Sequence, residues 1–241
     1  LTLSFGGDGS SYIGAQGQPQ ILLIGDSHAG ALRYGMDVCL KNNNLSGYSI
    51  SCSAKDMFNM QLPESRAMLK KIDEMPYISS VILVQRWLLH DWSNSTKVGL
   101  LLSQLEEFNN YLKTKGITLF ILTDVPNFNY TLNDIAARLQ IVRARKMFPE
   151  WETLRQSEDA YVARQDGPIN MRLQEVCKRM KVVLIPLHLA LKEGDGFLFF
   201  STQNNKMVPL YRDVDHLSQA GSLRAAQFMM PYLFPNAGLK N

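Results

Sequence analysis

Apolar residues come along this chain in short unbroken runs, separated by longer stretches with a helical repeat. Gln20–Gly25, Gly47–Cys52, Ser80–Arg86, Ile117–Leu122 and Val182–Leu187 read as strands. Several lack any polar alternation, the pattern of a strand covered on both faces. Helical periods fill 29–41, 64–75, 97–115 and 169–180. In 97–115, Leu101, Leu105, Phe108 and Leu112 make one apolar stripe, and Gly116 supplies the stop. A last helix is expected near Ser218, a good N-cap, with Ala225, Phe228 and Met229 turned inward.

Strands that alternate with helices imply a parallel sheet between two helical layers. The expected fold is therefore α/β: a three-layer α/β/α sandwich on a five-stranded parallel sheet, flavodoxin-like, with strand order 2-1-3-4-5. Residues 1–19, rich in Gly, Ser and Gln, read as an irregular leader, and 20–241 as one domain. The stretch 123–168 is too long for a simple connection. Its basic piece IAARLQIVRARKMF is expected to be a helical surface insertion, with a substrate lid as the alternative.

Composition narrows the function classes. A length of 241 residues suffices for a proper core, and a net charge of +3 without a Lys/Arg block argues against nucleic acid. No apolar run nears the ~18 residues of a membrane span, and nothing resembles a signal peptide. The chain begins at Leu1, which fits a domain excised from a longer protein. Cys39, Cys52 and Cys177 form no C-x-x-C pair, and His28, His90, His188 and His216 show no zinc spacing, so no metal is expected. The cysteines are either buried thiols or, for Cys39 and Cys52, a short disulfide in an oxidising compartment.

In a doubly wound sheet, chemistry gathers at the carboxyl ends of the strands. Ser27, Ser53, Arg86 with Trp87, and Asp124 follow the first four strands, and YRDVDHLSQAG precedes the last helix. Ser27 alone reads more readily as a helix cap than as a nucleophile. A serine becomes nucleophilic when a base takes its proton and a third group fixes that base. The i, i+3 spacing of Asp213 and His216 lets a carboxylate reach Nδ1 and leaves Nε2 for Ser27. Asp215, next to the histidine, is expected to point elsewhere, and His28 to fill space beside the turn. The helix start after Ser27 offers N–H groups to a developing oxyanion.

GDSH at 25–28 and DVDH at 213–216, with the α/β order between them, resemble the SGNH/GDSL superfamily of serine hydrolases and acyltransferases, over nearly all of the chain from Gln20. The resemblance implies Ser27 as nucleophile, His216 as base, Asp213 as its partner, and the Ser27 N–H as first oxyanion donor. GDSHA lacks the second glycine of the G-x-S-x-G elbow of α/β-hydrolases. The middle blocks depart from the family pattern of a Gly after the second strand and G-x-N-D after the third: SCSAKD and VQRWLLHDW stand there. Ser53, through its N–H, and Arg86 or Trp87 are the candidate oxyanion and substrate residues, an arginine being able to hold an oxyanion. Trp87, His90 and Trp92 are either a sugar-stacking platform or packing.

GDSHA, the RW after the third strand and YRDVDHLSQAG most resemble the SGNH domains fused behind acyltransferase-3 membrane proteins. Those proteins O-acetylate bacterial surface polysaccharides such as lipopolysaccharide O-antigen or peptidoglycan. The resemblance implies a periplasmic O-acetyltransferase domain tethered to the inner membrane, with the acyltransferase-3 transmembrane domain and a polysaccharide as partners. It implies no bound cofactor, the acetyl group arriving from acetyl-CoA through the membrane domain. The rival readings are a carbohydrate acetyl-esterase with the same residues and a non-catalytic glycan-binding module.

Overall fold

The five apolar runs become the centre of one six-stranded sheet. The structure is a computed structural model describing residues 9–127, 156–157, 166–194, 196–203, 206–213 and 215–235. Its central strands are β2 (Ile21–Gly25), β3 (Ser46–Ser51), β4 (Ser80–Val84), β5 (Thr118–Leu122) and β7 (Val183–Ile185). They are parallel and lie in the order β3-β2-β4-β5-β7, the expected 2-1-3-4-5.

Side chains of successive strand residues serve opposite layers, which explains the unbroken apolar runs. Ile21, Leu23, Ile82, Val84, Phe120 and Leu122 pack toward α1 (Ser27–Asn42) and the last helix, α5 (Gln219–Leu233). Leu22, Ile24, Val81, Leu83, Leu119 and Ile121 pack toward α2 (Pro63–Glu74), α3 (Ser95–Thr114) and α4 (Asp166–Met180). The predicted stripe of Leu101, Leu105, Phe108 and Leu112 is the buried face of α3.

A sixth strand joins the five expected parallel ones and corrects the expectation of an irregular leader. Gly9–Gly14 forms β1, antiparallel to β3 at the sheet edge, with Tyr12 opposite Tyr48. Its inward residue Ile13 is buried, whereas Tyr12 is 67% exposed. One buried side chain in a Gly/Ser-rich segment leaves no apolar run to detect.

After β7, the chain builds two small antiparallel units before reaching α5. One joins β6 (Gln156–Ser157), β8 (Lys192–Glu193) and β9 (Gly196–Phe197); the other pairs β10 (Phe200–Gln203) with β11 (Lys206–Pro209). Phe197, Leu198, Phe199 and Phe200 are buried in the layer of α1 and α5, anchoring the approach to the D-x-x-H loop. The predicted insertion piece IAARLQIVRARKMF lies outside the described residues.

Helices α1 and α5 are locked together, and this fixes the two halves of the site relative to each other. The Gly35 N–H donates to Ser222 Oγ at 2.8 Å, and Ser222 Oγ donates to the Leu32 carbonyl at 2.9 Å. A Cβ on Gly35 would sit 2.0 Å from the Ser222 carbonyl oxygen, so only glycine permits this approach.

No Cys39–Cys52 disulfide forms, and Cys177 is likewise a thiol. Cys39 packs in the α1/α5 layer and Cys52 against the opposite one, so the sheet separates them. Burial pushes the Cys39 thiol up to about 11 and Cys177 up to about 12. No helix among the described residues is long and apolar enough to cross a membrane.

Candidate active site

The strand register brings the chemistry to one edge. Gly25, last in β2, pairs with Ser51 on one side and Val84 on the other, so three loops leave side by side. At Gly25 the chain turns with φ +151°, and a Cβ would lie 1.6 Å from the Val84 carbonyl oxygen. No other residue permits this turn, which puts Ser27 at the first position of α1.

Asp26 holds the turn in place. Its carboxylate is 1% exposed, caps α1 by accepting the His28 N–H at 2.8 Å, and accepts the Arg86 N–H at 2.8 Å. The β2–α1 turn is thereby tied to the loop after β4. Asp124, after β5, does the same from the other side, accepting the Trp87 N–H at 3.1 Å and the Leu88 N–H at 2.9 Å. Sequence reading placed Asp124 at this edge, and Asp26 only within GDSH, without finding these tasks, since backbone partners leave no trace in a motif.

The D-x-x-H loop arrives closed on itself. Tyr211 bridges to Leu217, the Arg212 N–H donates to the His216 carbonyl at 3.0 Å, and the Ser218 N–H donates to the Leu210 carbonyl at 2.9 Å. Inside it, Asp213 Oδ1 accepts the N–H groups of Asp215 (3.1 Å) and His216 (2.7 Å). The curl carries the imidazole to Ser27: His216 Nε2 lies 2.8 Å from Ser27 Oγ. On its other side, Nδ1 lies 2.9 Å from Asp213 Oδ2 and 2.9 Å from Asp215 Oδ1. Carboxylates only accept, so Nδ1 donates to them, and in the neutral imidazole Nε2 is the nitrogen placed to take a proton from the serine.

Asp215 therefore departs from its expected position. The bonds to Asp213 tighten the loop until the carboxylates at positions −3 and −1 both reach the same ring nitrogen. Burial works to lower the His216 pKa, but the bonds and charges of Asp213 and Asp215 overcome it, raising it from 6.5 to about 9. Burial works the other way on Asp213, yet its bonds to His216 and two backbone N–H groups hold it well below the usual carboxylate range.

The other candidates fall into place around this core. His28 is buried with its ring 4.7 Å from that of His216, and burial takes its pKa down to about 4, so it stays neutral. Ser53 is exposed, two residues beyond β3 at the same edge. The Arg86 guanidinium is ion-paired through Nη1 with Asp215 Oδ2 at 2.5 Å, so part of its charge goes to a carboxylate of the loop, while the side chain also lines the cleft beside the site. Trp87 is 0% exposed, stacked on Phe58, with its indole N–H on the Leu122 carbonyl at 2.7 Å. Trp92 is buried as well and donates to the Trp87 carbonyl. Neither ring is available to a sugar, so the platform reading gives way to packing.

Among the described residues, His28, Asp215 and His216 are the group whose donor atoms lie close enough to share a metal ion. They do not fit one, because the Arg86 guanidinium already supplies the positive charge at Asp215. Next to them lies a small open cleft lined by His28, Arg86, Leu88, Asp124, Val125 and Asp215, among others.

Solved structures share this architecture. The periplasmic domain of a lipopolysaccharide acetyltransferase from Salmonella ser. Paratyphi A is similar with a TM-score of 0.69 at 16% identity, over 90% of this chain and 84% of that one. A GDSL-like lipase from Bacteroides thetaiotaomicron matches with a TM-score of 0.53 at 10% identity, over 92% and 93% of the two chains. An acetyl xylan esterase matches with 0.52 at 14%, over 88% and 98%. At these identities the likeness is one of fold. Comparison with curated protein sequences gives no significant match. The sequence itself fits the family model of the SGNH domain (fused to AT3 domains) over residues 3–231, nearly its whole length, and the chain belongs to that family.

Proposed function

We propose that this domain is an O-acetyltransferase that carries an acetyl group on Ser27 and passes it to a sugar hydroxyl of a bacterial surface polysaccharide. The observation that carries the reading is the unbroken line from Ser27 Oγ through His216 to Asp213, with both links inside hydrogen-bond distance. In the first half-reaction, His216 Nε2 takes the Ser27 proton while Oγ attacks the acetyl carbonyl. The tetrahedral intermediate collapses when the histidine returns the proton to the leaving group. In the second, His216 takes the proton of a sugar hydroxyl, that oxygen attacks the acyl-serine, and the proton returns to Ser27. The Ser27 N–H, at the positive end of α1, faces the developing oxyanion, and Ser53 is the further donor proposed from the β3 loop.

Fusion to AT3 domains, as the family describes, supports an acyltransferase-3 membrane domain as donor partner, with this domain on the periplasmic side. Acetyl-CoA is the ultimate source in this reading, and the domain needs no cofactor of its own. The lipopolysaccharide acetyltransferase among similar folds supports an O-antigen-like acceptor and an acetyl group as cargo. Hydrolysis by the same residues is the second reading, favoured by the esterase fold likeness.

The test supplies an acetyl donor and an oligosaccharide to the protein and to Ser27→Ala. Acetylated sugar in excess over free acetate supports transfer; acetate alone supports hydrolysis. Ser27→Ala should reduce both products by roughly 10⁴-fold or more. Turnover that survives this change contradicts the acyl-serine.

A further inference from the structure

Resting on the reading of His216 as the base, we propose that Asp215 and Arg86 form a second positioning arm for it: Asp215 holds Nδ1 alongside Asp213, and Arg86 clamps Asp215 and offsets its charge. The geometry is a continuous line from the β4 loop to the imidazole. Arg86 Nη1 meets Asp215 Oδ2 at 2.5 Å, and the other oxygen of the same carboxylate, Oδ1, meets His216 Nδ1 at 2.9 Å. Asp215 is buried, so both interactions act with little solvent screening. Arg86 is itself set by its N–H bond to Asp26, the cap of the helix that carries Ser27. The arm thus ties the base to the scaffold that positions the nucleophile.

Two carboxylates on one nitrogen present a difficulty that the arginine resolves. Each stabilises the imidazolium, and a histidine held too firmly in that form cannot take a proton from serine. A guanidinium on Asp215 withdraws part of that stabilisation and keeps the geometric hold. The other groups facing His216 are already accounted for. Asp213 has Arg212 Nε at 3.5 Å from Oδ2, His28 on α1 is neutral against the ring, its Nε2 lies 3.9 Å from Asp215 Oδ2, and Ser27 is the reacting partner. Asp26 acts on His28 and faces the site through it.

Removing either member of the arm then moves the proton affinity of His216 in opposite directions. Asp215→Asn should lower the His216 midpoint by about one pH unit, and Arg86→Gln should raise it. Arg86→Lys, which keeps the charge, should stay close to the unmodified protein. The double variant should behave as Asp215→Asn, because without the carboxylate the arginine has nothing to offset. A purely structural role would lower activity or stability without these opposed shifts.

The experiment measures the His216 midpoint by NMR of labelled histidine and the pH profile of kcat/KM for p-nitrophenyl acetate, on the same variants. Asp215→Ser serves as second variant if Asp215→Asn does not fold. Opposed shifts in the NMR midpoint, followed by the profile, support the arm. An NMR midpoint unmoved by both single changes overturns it. Shifted midpoints with an unshifted profile overturn instead the reading of His216 as the base, and with it any catalytic use of the arm.

Discussion

Asp26 of GDSH is the residue whose removal best separates scaffold from chemistry. It touches neither Ser27 Oγ nor His216 through any hydrogen bond described here; its two oxygens each take one backbone N–H at 2.8 Å, from His28 and from Arg86. Hydrogen bonds to a charged group contribute about 1.5–3 kcal/mol each, the cost of leaving the buried donor unpaired being included in that loss. Asp26→Ala abandons two such donors in a 1%-exposed position and is expected to cost about 4 kcal/mol. Asp26→Asn keeps one acceptor oxygen but turns an NH₂ toward the other N–H, for about 2 kcal/mol. In a chain of this size 1 kcal/mol moves Tm by about 2–4 °C, so the two variants should melt roughly 8–16 °C and 4–8 °C lower.

Denaturant unfolding followed by circular dichroism, with calorimetry for Tm, reads these costs directly. The same variants should lose turnover even at temperatures where they are folded, since the Arg86 N–H loses its anchor. An Asp26→Ala protein that melts with the unmodified one shows that the two bonds carry no net energy and sinks the scaffold argument. An Asp26→Asn protein as damaged as Asp26→Ala shows that charge, rather than donor satisfaction, is what the position needs.

Stability should peak near pH 6.5, because the two neighbouring histidines are shifted oppositely. His216, raised to about 9, contributes stability fully present below 6.5 and lost between 6.5 and 9; His28, lowered to about 4, has its contribution present above 6.5 and lost as pH falls toward 4. Each limb is of the order of 3 kcal/mol, and unfolding free energy against pH should show His216→Gln flattening the alkaline limb and His28→Phe the acid one. A maximum above pH 8 contradicts the assignment. Trp87→Phe should cost about 2–3 kcal/mol through the orphaned Leu122 carbonyl and lost volume, with KM for oligosaccharide unchanged; a raised KM at unchanged stability restores the sugar-platform reading.

Much of the fold was legible because the central strands are covered on both faces, and such strands announce themselves as unbroken apolar runs. Ile21–Ile24 is the clearest, each residue at most 1% exposed. The strand order and the cap at Ser218, which accepts the Gly221 N–H, followed from the same pattern. β1 was not legible, since an edge strand with one buried side chain has no periodicity to read. Nor was the role of Asp215: a sequence displays the spacing of −3 and −1 residues but not the curl that brings both to Nδ1. Arg86 was noticed at the right edge but its pairing with Asp215 was not, because a strand-end position says which rim a residue joins and not which way it turns. Cys39 and Cys52 looked close in sequence, yet they pack on opposite sides of the sheet, a fact that depends on the register of both elements.

The charges around His216 suggest why a second carboxylate is tolerated so close to the first. Each carboxylate at Nδ1 has its own arginine, Arg212 near Asp213 and Arg86 on Asp215. With the imidazole neutral, the four ionised groups balance, and the buried ones avoid the penalty of an uncompensated charge. In the proposed reaction, His216 becomes positive on taking the serine proton, just as negative charge grows on the acyl oxygen at the start of α1. The new charges offset each other across Ser27, so the site carries no net charge before the step or at its peak. A single carboxylate without an arginine leaves the site one negative charge in excess both at rest and at the peak. The extra pair adds geometric hold on the ring at no cost in net charge, and this is the physical advantage of writing the loop as DVDH.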